Sequence, residues 1–250
     1  LMAVAAGFAS DLLKHPDSSM RIATINLLGS LVDPTALSEH GSALVAALRD
    51  QDPDMRSAAT AALVKLVKAA DGISNGGITH ELVATLGAKE AGARDEARYA
   101  LELLVPLPAG KTLIEPLLAL LDQPQSESCS AALEVLARHG ALSEVSTDLD
   151  KRAMDCFTAG STTVKASALE VLAKFEPLVI ANHAADLAAH LGSEEWALPS
   201  QVANVLRKLE PDTLAKHQPA LIKSVKHPEW AVRAAALRLL GMLPPASLEE

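Results

Sequence analysis

The sequence predicts an all-α chain, an α-α superhelix of about seven antiparallel helix pairs, and three observations predict it. The block His15-Pro16-Asp17-Ser18-Ser19-Met20-Arg21 returns 212 residues later as His227-Pro228-Glu229-Trp230-Ala231-Val232-Arg233, and each copy opens an apolar helix ending in Leu-Leu-Gly-x-Leu. Five weaker copies lie between them, and a fixed period of this size marks a stack of like units. Hydrophobic residues make up 49% of the chain but aromatics only 2%, so the core is built from Leu, Ala and Val, which suits closely approaching helices better than a sheet.

Alignment on the paired leucines places equivalent reference positions at Arg21, Arg56, Arg94, Ser126, Thr162, Pro199 and Arg233, spaced by 35, 38, 32, 36, 37 and 34 residues. An acid stands four positions earlier in six of the seven: Asp17, Asp52, Glu90, Asp122, Glu195 and Glu229, with Thr158 as the exception. A carboxylate there meets free backbone N–H groups and the positive end of the helix dipole, so it signals a helix start. The helix that follows, helix B, is apolar at helical spacing, as in Ala23, Leu27, Leu28 and Leu31. Upstream of each B lies a second amphipathic stretch, helix A, as in residues 43–48, 117–121, 185–191 and 220–225.

Between B and the next A the chain turns at Asp33-Pro34, Glu176-Pro177 and Glu210-Pro211, where proline excludes the helical conformation of its predecessor. The longest connection is expected over Asp71-Gly72-Ile73-Ser74-Asn75-Gly76-Gly77. The pattern predicts one continuous array with approximate repeats 1–33, 34–70, 71–106, 107–140, 141–176, 177–210 and 211–244, residues 245–250 starting another. Pro245-Ala246-Ser247-Leu248 matches Pro211-Asp212-Thr213-Leu214, from which a longer parent array is expected.

A net charge of −9 without a cluster of Lys and Arg argues against nucleic-acid binding. No apolar stretch is long enough to span a membrane, and neither a membrane nor a small-molecule ligand is expected as partner. Two cysteines, Cys129 and Cys156, and the absence of an Asn-x-Ser/Thr sequon suit a reducing, cytoplasmic setting.

A helix pair of about 35 residues with a Pro turn and an acid-x-x-x-Arg signature resembles the HEAT-repeat family, over almost the whole chain. Met55-Arg56-Ser57-Ala58-Ala59 and Val232-Arg233-Ala234-Ala235-Ala236 carry the resemblance most closely, whereas the copies at Ser126, Thr162 and Pro199 lack the arginine. The resemblance implies a structural ladder of hydrogen bonds and ion pairs between repeats, formed by Asp17, Arg21, Asp52, Arg56, Glu90, Arg94, Glu229 and Arg233.

Motifs that suggest chemistry are incomplete. His40, His183 and His217 repeat in the frame acid-Pro-x-x-Leu/Ile-x-x-His, but stacked repeats would hold them at different heights, so a structural role near the start of helix A is expected in place of a metal. His80-Glu81 is a single dyad, whereas the di-iron site of a HEAT-repeat hydroxylase resembles a set of four such dyads from different repeats, and Ala84 stands where His-Glu-x-x-His needs its second histidine. Gly110-Lys111-Thr112 imitates a phosphate-binding loop whose first glycine falls at Val105. No catalytic residue, metal ligand or cofactor is therefore expected.

The expected function is a non-catalytic scaffold or adaptor that binds proteins along the concave helix-B face and the A/B turn edge. Trp196 and Trp230 fall three residues before their reference positions at consecutive turns, and exposed Trp is enriched in binding hot spots. Glu134, Arg138, Glu170, Lys174, Arg207, Lys208 and Arg238 project from B helices and complete the candidate contacts. Two alternatives stay open. Trp230-Ala231-Val232-Arg233 is similar to the Trp-x-x-Arg stretch of TOG arrays, which implies tubulin binding at the turns. The other is a HEAT-repeat enzyme, either a metal-dependent hydroxylase or one similar to the bilin lyases.

Overall fold

The computed structural model describes residues 9, 11–30, 40–69, 76–105, 111–138, 148–192 and 198–245. Among them the chain is helical and carries no strand, and fifteen α-helices follow one another. The first seven are α1 (Ser18–Ser30), α2 (Gly41–Ala47), α3 (Pro53–Ala69), α4 (Gly76–Thr85), α5 (Ala91–Leu104), α6 (Lys111–Leu120) and α7 (Glu127–Ala137). The remaining eight are α8 (Leu149–Ala159), α9 (Thr162–Leu172), α10 (Pro177–Ala181), α11 (Ala184–Ala189), α12 (Leu198–Leu206), α13 (Pro211–Ala215), α14 (Gln218–Val225) and α15 (Trp230–Leu240).

Two compact units result, Leu1–Asp122 with Ser126–Gly140, and Gln123–Gln125 with Ala141–Glu250. In the first, α1, α3, α5 and α7 stack in one layer as the B helices, and α2, α4 and α6 stack in the other. In the second, the B helices α9, α12 and α15 stack in turn, with α8, α11 and α14 packed against them as A helices. The expected all-α architecture of paired helices is what each unit shows.

The packing follows from the composition. On α5, Ala93, Ala97, Ala100, Leu101 and Leu104 are fully buried, so alanines let neighbouring backbones approach while leucines fill the spaces between them. Each fully buried leucine contributes roughly 1.5–3 kcal/mol relative to an exposed one. Aromatic side chains add little to this core, although Phe157 of α8 is buried and meets the His190 ring edge-on with centroids 5.0 Å apart.

Three local expectations are corrected. Glu176 and Glu210 are N-caps, and Pro177 and Pro211 occupy the first helical positions, so the acid-Pro pair opens a one-turn helix as well as ending the previous one. The following break falls at the repeated histidine. His40, His183 and His217 each precede a longer helix with nearly the same backbone, at φ/ψ of −104°/6°, −109°/2° and −103°/8°. Helix A is thus delivered in two pieces, the first anchored by the buried Ile180 or Leu214.

Gly76 and Gly77, expected in a loop, form the first turn of α4. Asp122 does not start a helix; α7 begins five residues later, with Ser126 as its cap. Asp33-Pro34, Trp196 and Glu195 lie outside the described residues.

Candidate functional site

Two surfaces were expected to matter, the helix-B layer and the edge where A turns into B. The arginines of the signature lie at that edge, in the first turn of their B helices. Arg21 Nη1 donates to the carbonyls of His15 at 2.9 Å and Pro16 at 3.1 Å. Arg56 reaches Asp50 and Gln51 at 2.9 and 3.0 Å, and Arg94 reaches Ala88 and Lys89 at 2.8 and 2.9 Å. Arg233 repeats the contact on His227 at 2.9 Å and on Pro228. In all four, one guanidinium nitrogen bridges the carbonyls six and five residues back, which lie in the turn between helix A and helix B. A charged donor there satisfies turn carbonyls that no helix pairs, close to the negative end of the preceding helix's dipole.

The acids of the signature act separately. Asp17 Oδ1 accepts from the Ser19 N–H and Asp52 Oδ1 from the Asp54 N–H, both at 2.9 Å. Glu90 and Glu229 take the N-cap backbone position but make no side-chain cap bond. Ion pairs run between repeats: Arg21 Nη2 meets Asp50 at 3.1 Å and Arg94 Nη2 meets Glu127 at 2.9 Å. Arg56 instead lies under Gly92, where an added Cβ would stand 2.8 Å from the guanidinium atoms. Where the arginine is missing, Ser126 and Ser161 cap α7 and α9 by accepting from the N–H groups of Cys129 and Val164.

Among the contact candidates of the first unit, Glu134 and Arg138 belong to a charge network. Arg98 sits at its centre, 2.8 Å from Glu102 and 3.3 Å from Glu134, and Arg138 approaches Glu102 at 3.9 Å. In the second unit Glu170, Lys174, Arg207, Lys208 and Arg238 are all exposed. Lys208 has a structural task as well, because its ammonium donates to the carbonyls of Ala173 at 2.9 Å and Phe175 at 2.6 Å, just past the end of α9. Lys65 does the same for Gly29 near the end of α1. Trp230 is the first residue of α15 and is 70% exposed.

One feature of the helix-B layer was not anticipated. Tyr99 of α5 is 55% exposed, with Leu103 exposed one turn further on. Together with Ser57, Ala61, Lys65 and Lys68 of α3 they line an open groove of about 480 Å³. The sequence did hold a signal, since Tyr99 is the single tyrosine of the chain and stands five residues after Arg94, where the preceding repeat has the exposed Ala61.

The residues considered for chemistry are placed apart. His183 Nε2 lies 2.9 Å from Asp150 of α8, a largely buried pair that ties two A helices together. His80 is exposed on α4, and its neighbour Glu81 accepts from Ser42 of α2 at 3.2 Å. Among the described residues no group of three or more His, Cys, Asp and Glu side chains is placed to hold a metal ion. No described helix is long and apolar enough to cross a membrane.

Comparison with known proteins identifies the architecture. The family model of the HEAT repeat matches residues 218–243, the segment formed by α14 and α15. A solved structure of an engineered protein is similar with a TM-score of 0.53 and 19% identity, over 98% of this chain and 70% of that one. Computationally designed armadillo repeat proteins for modular peptide recognition give a TM-score of 0.52 at 17% identity, over 88% of this chain and 98% of theirs. A mutant of Kap121p gives 0.67 at 16% identity, over 95% of this chain and 29% of that one. At these identities the likeness is one of fold. No curated protein matches the chain.

Proposed function

Taking the chain as a HEAT-repeat protein, we propose that it is a non-catalytic scaffold that binds one or more proteins along its helix-B surface. The observation that carries this reading is the groove between α3 and α5, which the exposed Tyr99 and Leu103 line together with small residues and lysines of α3. A tyrosine held on a rigid helix offers a large contact area at small entropic cost, and small residues opposite it leave room for a partner's side chain. Lys68 at the rim, with Glu134, Glu170 and Arg238 on other B helices and Arg138, Lys174 and Arg207 just past their ends, would supply polar contacts. Designed armadillo repeat proteins of the same fold, made for peptide recognition, support a protein or peptide as the partner class.

The A/B turn edge is a second reading, favoured by the exposure of Trp230. It includes the tubulin-binding alternative, with Trp196 as the matching residue of the preceding turn. Affinity capture with wild type and two variants separates the readings. Loss of a captured protein with Tyr99→Ala/Leu103→Ala supports the helix-B surface, and loss with Trp230→Ala supports the edge. Retention of every captured protein by both variants, with helix content unchanged, would remove the scaffold reading from these surfaces. Two buried cysteines, Cys129 and Cys156, that form no disulfide with each other suit a reducing intracellular compartment, which is part of the same proposal.

A further inference from the structure

The groove between α3 and α5 has a length and a charge pattern that narrow what can fill it. Its α3 wall runs from Ser57 to Lys68, and Tyr99 and Leu103 form its α5 wall. At about 1.5 Å per helical residue the α3 wall is about 16 Å long, the reach of about five residues of extended chain. Ala61 and Val64 of α3, with the two α5 side chains, make the middle of this stretch apolar.

Both charged residues that line the groove are cations, Lys65 and Lys68, and they stand together toward the close of α3. The Lys65 ammonium donates one hydrogen to the Gly29 carbonyl and keeps two more to give. Lys68 is exposed and makes no hydrogen bond or ion pair with another described residue. The carboxylates of α5 do not neutralise this end, because each is engaged elsewhere. Glu96 accepts from Thr60 at 2.7 Å toward the opposite end, Glu102 meets Arg98 at 2.8 Å, and Asp95 lies 3.9 Å from the same arginine. An uncompensated pair of lysines beside an apolar floor is thus left in a chain of net charge −9.

We propose that the groove takes an acidic peptide segment, in which one large apolar side chain packs on Tyr99 and Leu103 and a nearby carboxylate meets Lys65 and Lys68. This rests on the reading of the groove as a protein-binding surface and adds the chemistry of the partner. Along α3, Ala61 is separated from Lys65 by about 6 Å and from Lys68 by about 10 Å, so the carboxylate belongs about two to three extended residues from the apolar side chain. Glu96 at the far end repels a second acid there, which keeps the acidic residues of the segment on one side of its apolar anchor.

Selection of a phage-displayed library of random short peptides on the intact chain, followed by fluorescence anisotropy with the enriched peptides, tests the proposal. The expected peptides carry Leu, Ile, Met or Phe with Asp or Glu at the stated spacing, and Tyr99→Ala/Leu103→Ala abolishes their binding. Lys68→Gln is expected to weaken them by about three-fold, the size of one exposed ion pair, and Lys68→Glu by more. Repeating the selection on the Lys68→Glu chain should enrich Lys or Arg in place of the acid. Neutral or basic peptides that need Tyr99 and Leu103, or acidic ones indifferent to Lys68→Glu, would overturn the acidic partner while leaving the groove a binding surface. Peptides that bind Tyr99→Ala/Leu103→Ala as well as wild type would remove the groove and both readings with it, and a library that yields nothing overturns the proposal alone. All three positions are exposed, and circular dichroism checks that helix content is kept; Tyr99→Gln/Leu103→Gln repeats the test if the alanine variant loses it.

Discussion

The B helices α3 and α5 are entered through an arginine that reaches back across the A/B turn, whereas α7 and α9 are entered through a serine that caps the helix directly. Both solutions satisfy exposed backbone groups at the same junction, but from opposite sides. The arginine serves the carbonyls of the turn after helix A; the serine serves the N–H groups that begin helix B. A repeat can keep its register with either, so the arginine marks one way of closing the turn and not a site for chemistry.

The largest expected effect comes from removing an arginine clamp. Arg56→Ala deletes two charge-assisted hydrogen bonds and is expected to destabilise the protein by about 2–3 kcal/mol, read by urea or thermal unfolding. Gly92→Ala, which sets a methyl group 2.8 Å from the same guanidinium, is expected to cost about 1–2 kcal/mol. In the Arg56→Ala background that cost should vanish or change sign, because alanine is the better helix former by about 1 kcal/mol. Equal costs in both backgrounds would show that Gly92 does not make room for Arg56.

Smaller effects follow on the serine side. Ser126→Ala and Ser161→Ala each lose one cap bond and are expected to cost about 1 kcal/mol. Glu90→Ala and Glu229→Ala should change stability by no more than about 0.5 kcal/mol, since neither carboxylate makes a cap bond. A serine variant no worse than a glutamate variant would end the distinction drawn here.

The architecture was legible in the sequence because it depends on what the repeats share. Burying one apolar stripe per helix imposes helical spacing, and stacking imposes the same spacing on every copy, so leucines, prolines and acids recur in register. The split of helix A was less legible, because a proline after an acid reads equally well as a stop and as a first turn, and only the backbone at His183 and His217 decides. The groove at Tyr99 was not legible at all from the period. Repetition reveals what is common, whereas a binding surface is made by what one repeat has and its neighbours lack. Trp230, found by its place in the repeated block, is 70% exposed at the start of α15.

Lys65 and Lys208 bear on how such a chain melts. Lys65 lies on helix B of one repeat and Lys208 just past the end of another, and each donates to carbonyls at the close of the helix B before it, Gly29 in one case, Ala173 and Phe175 in the other. A helix pair is thus completed by its successor, in both its apolar cover and its terminal hydrogen bonds. Cooperativity in unfolding then resides at the junctions between pairs. A chain severed between α9 and α12 would lose the ammonium that closes α9 along with the surface that covers it, and melting would spread upstream from the cut.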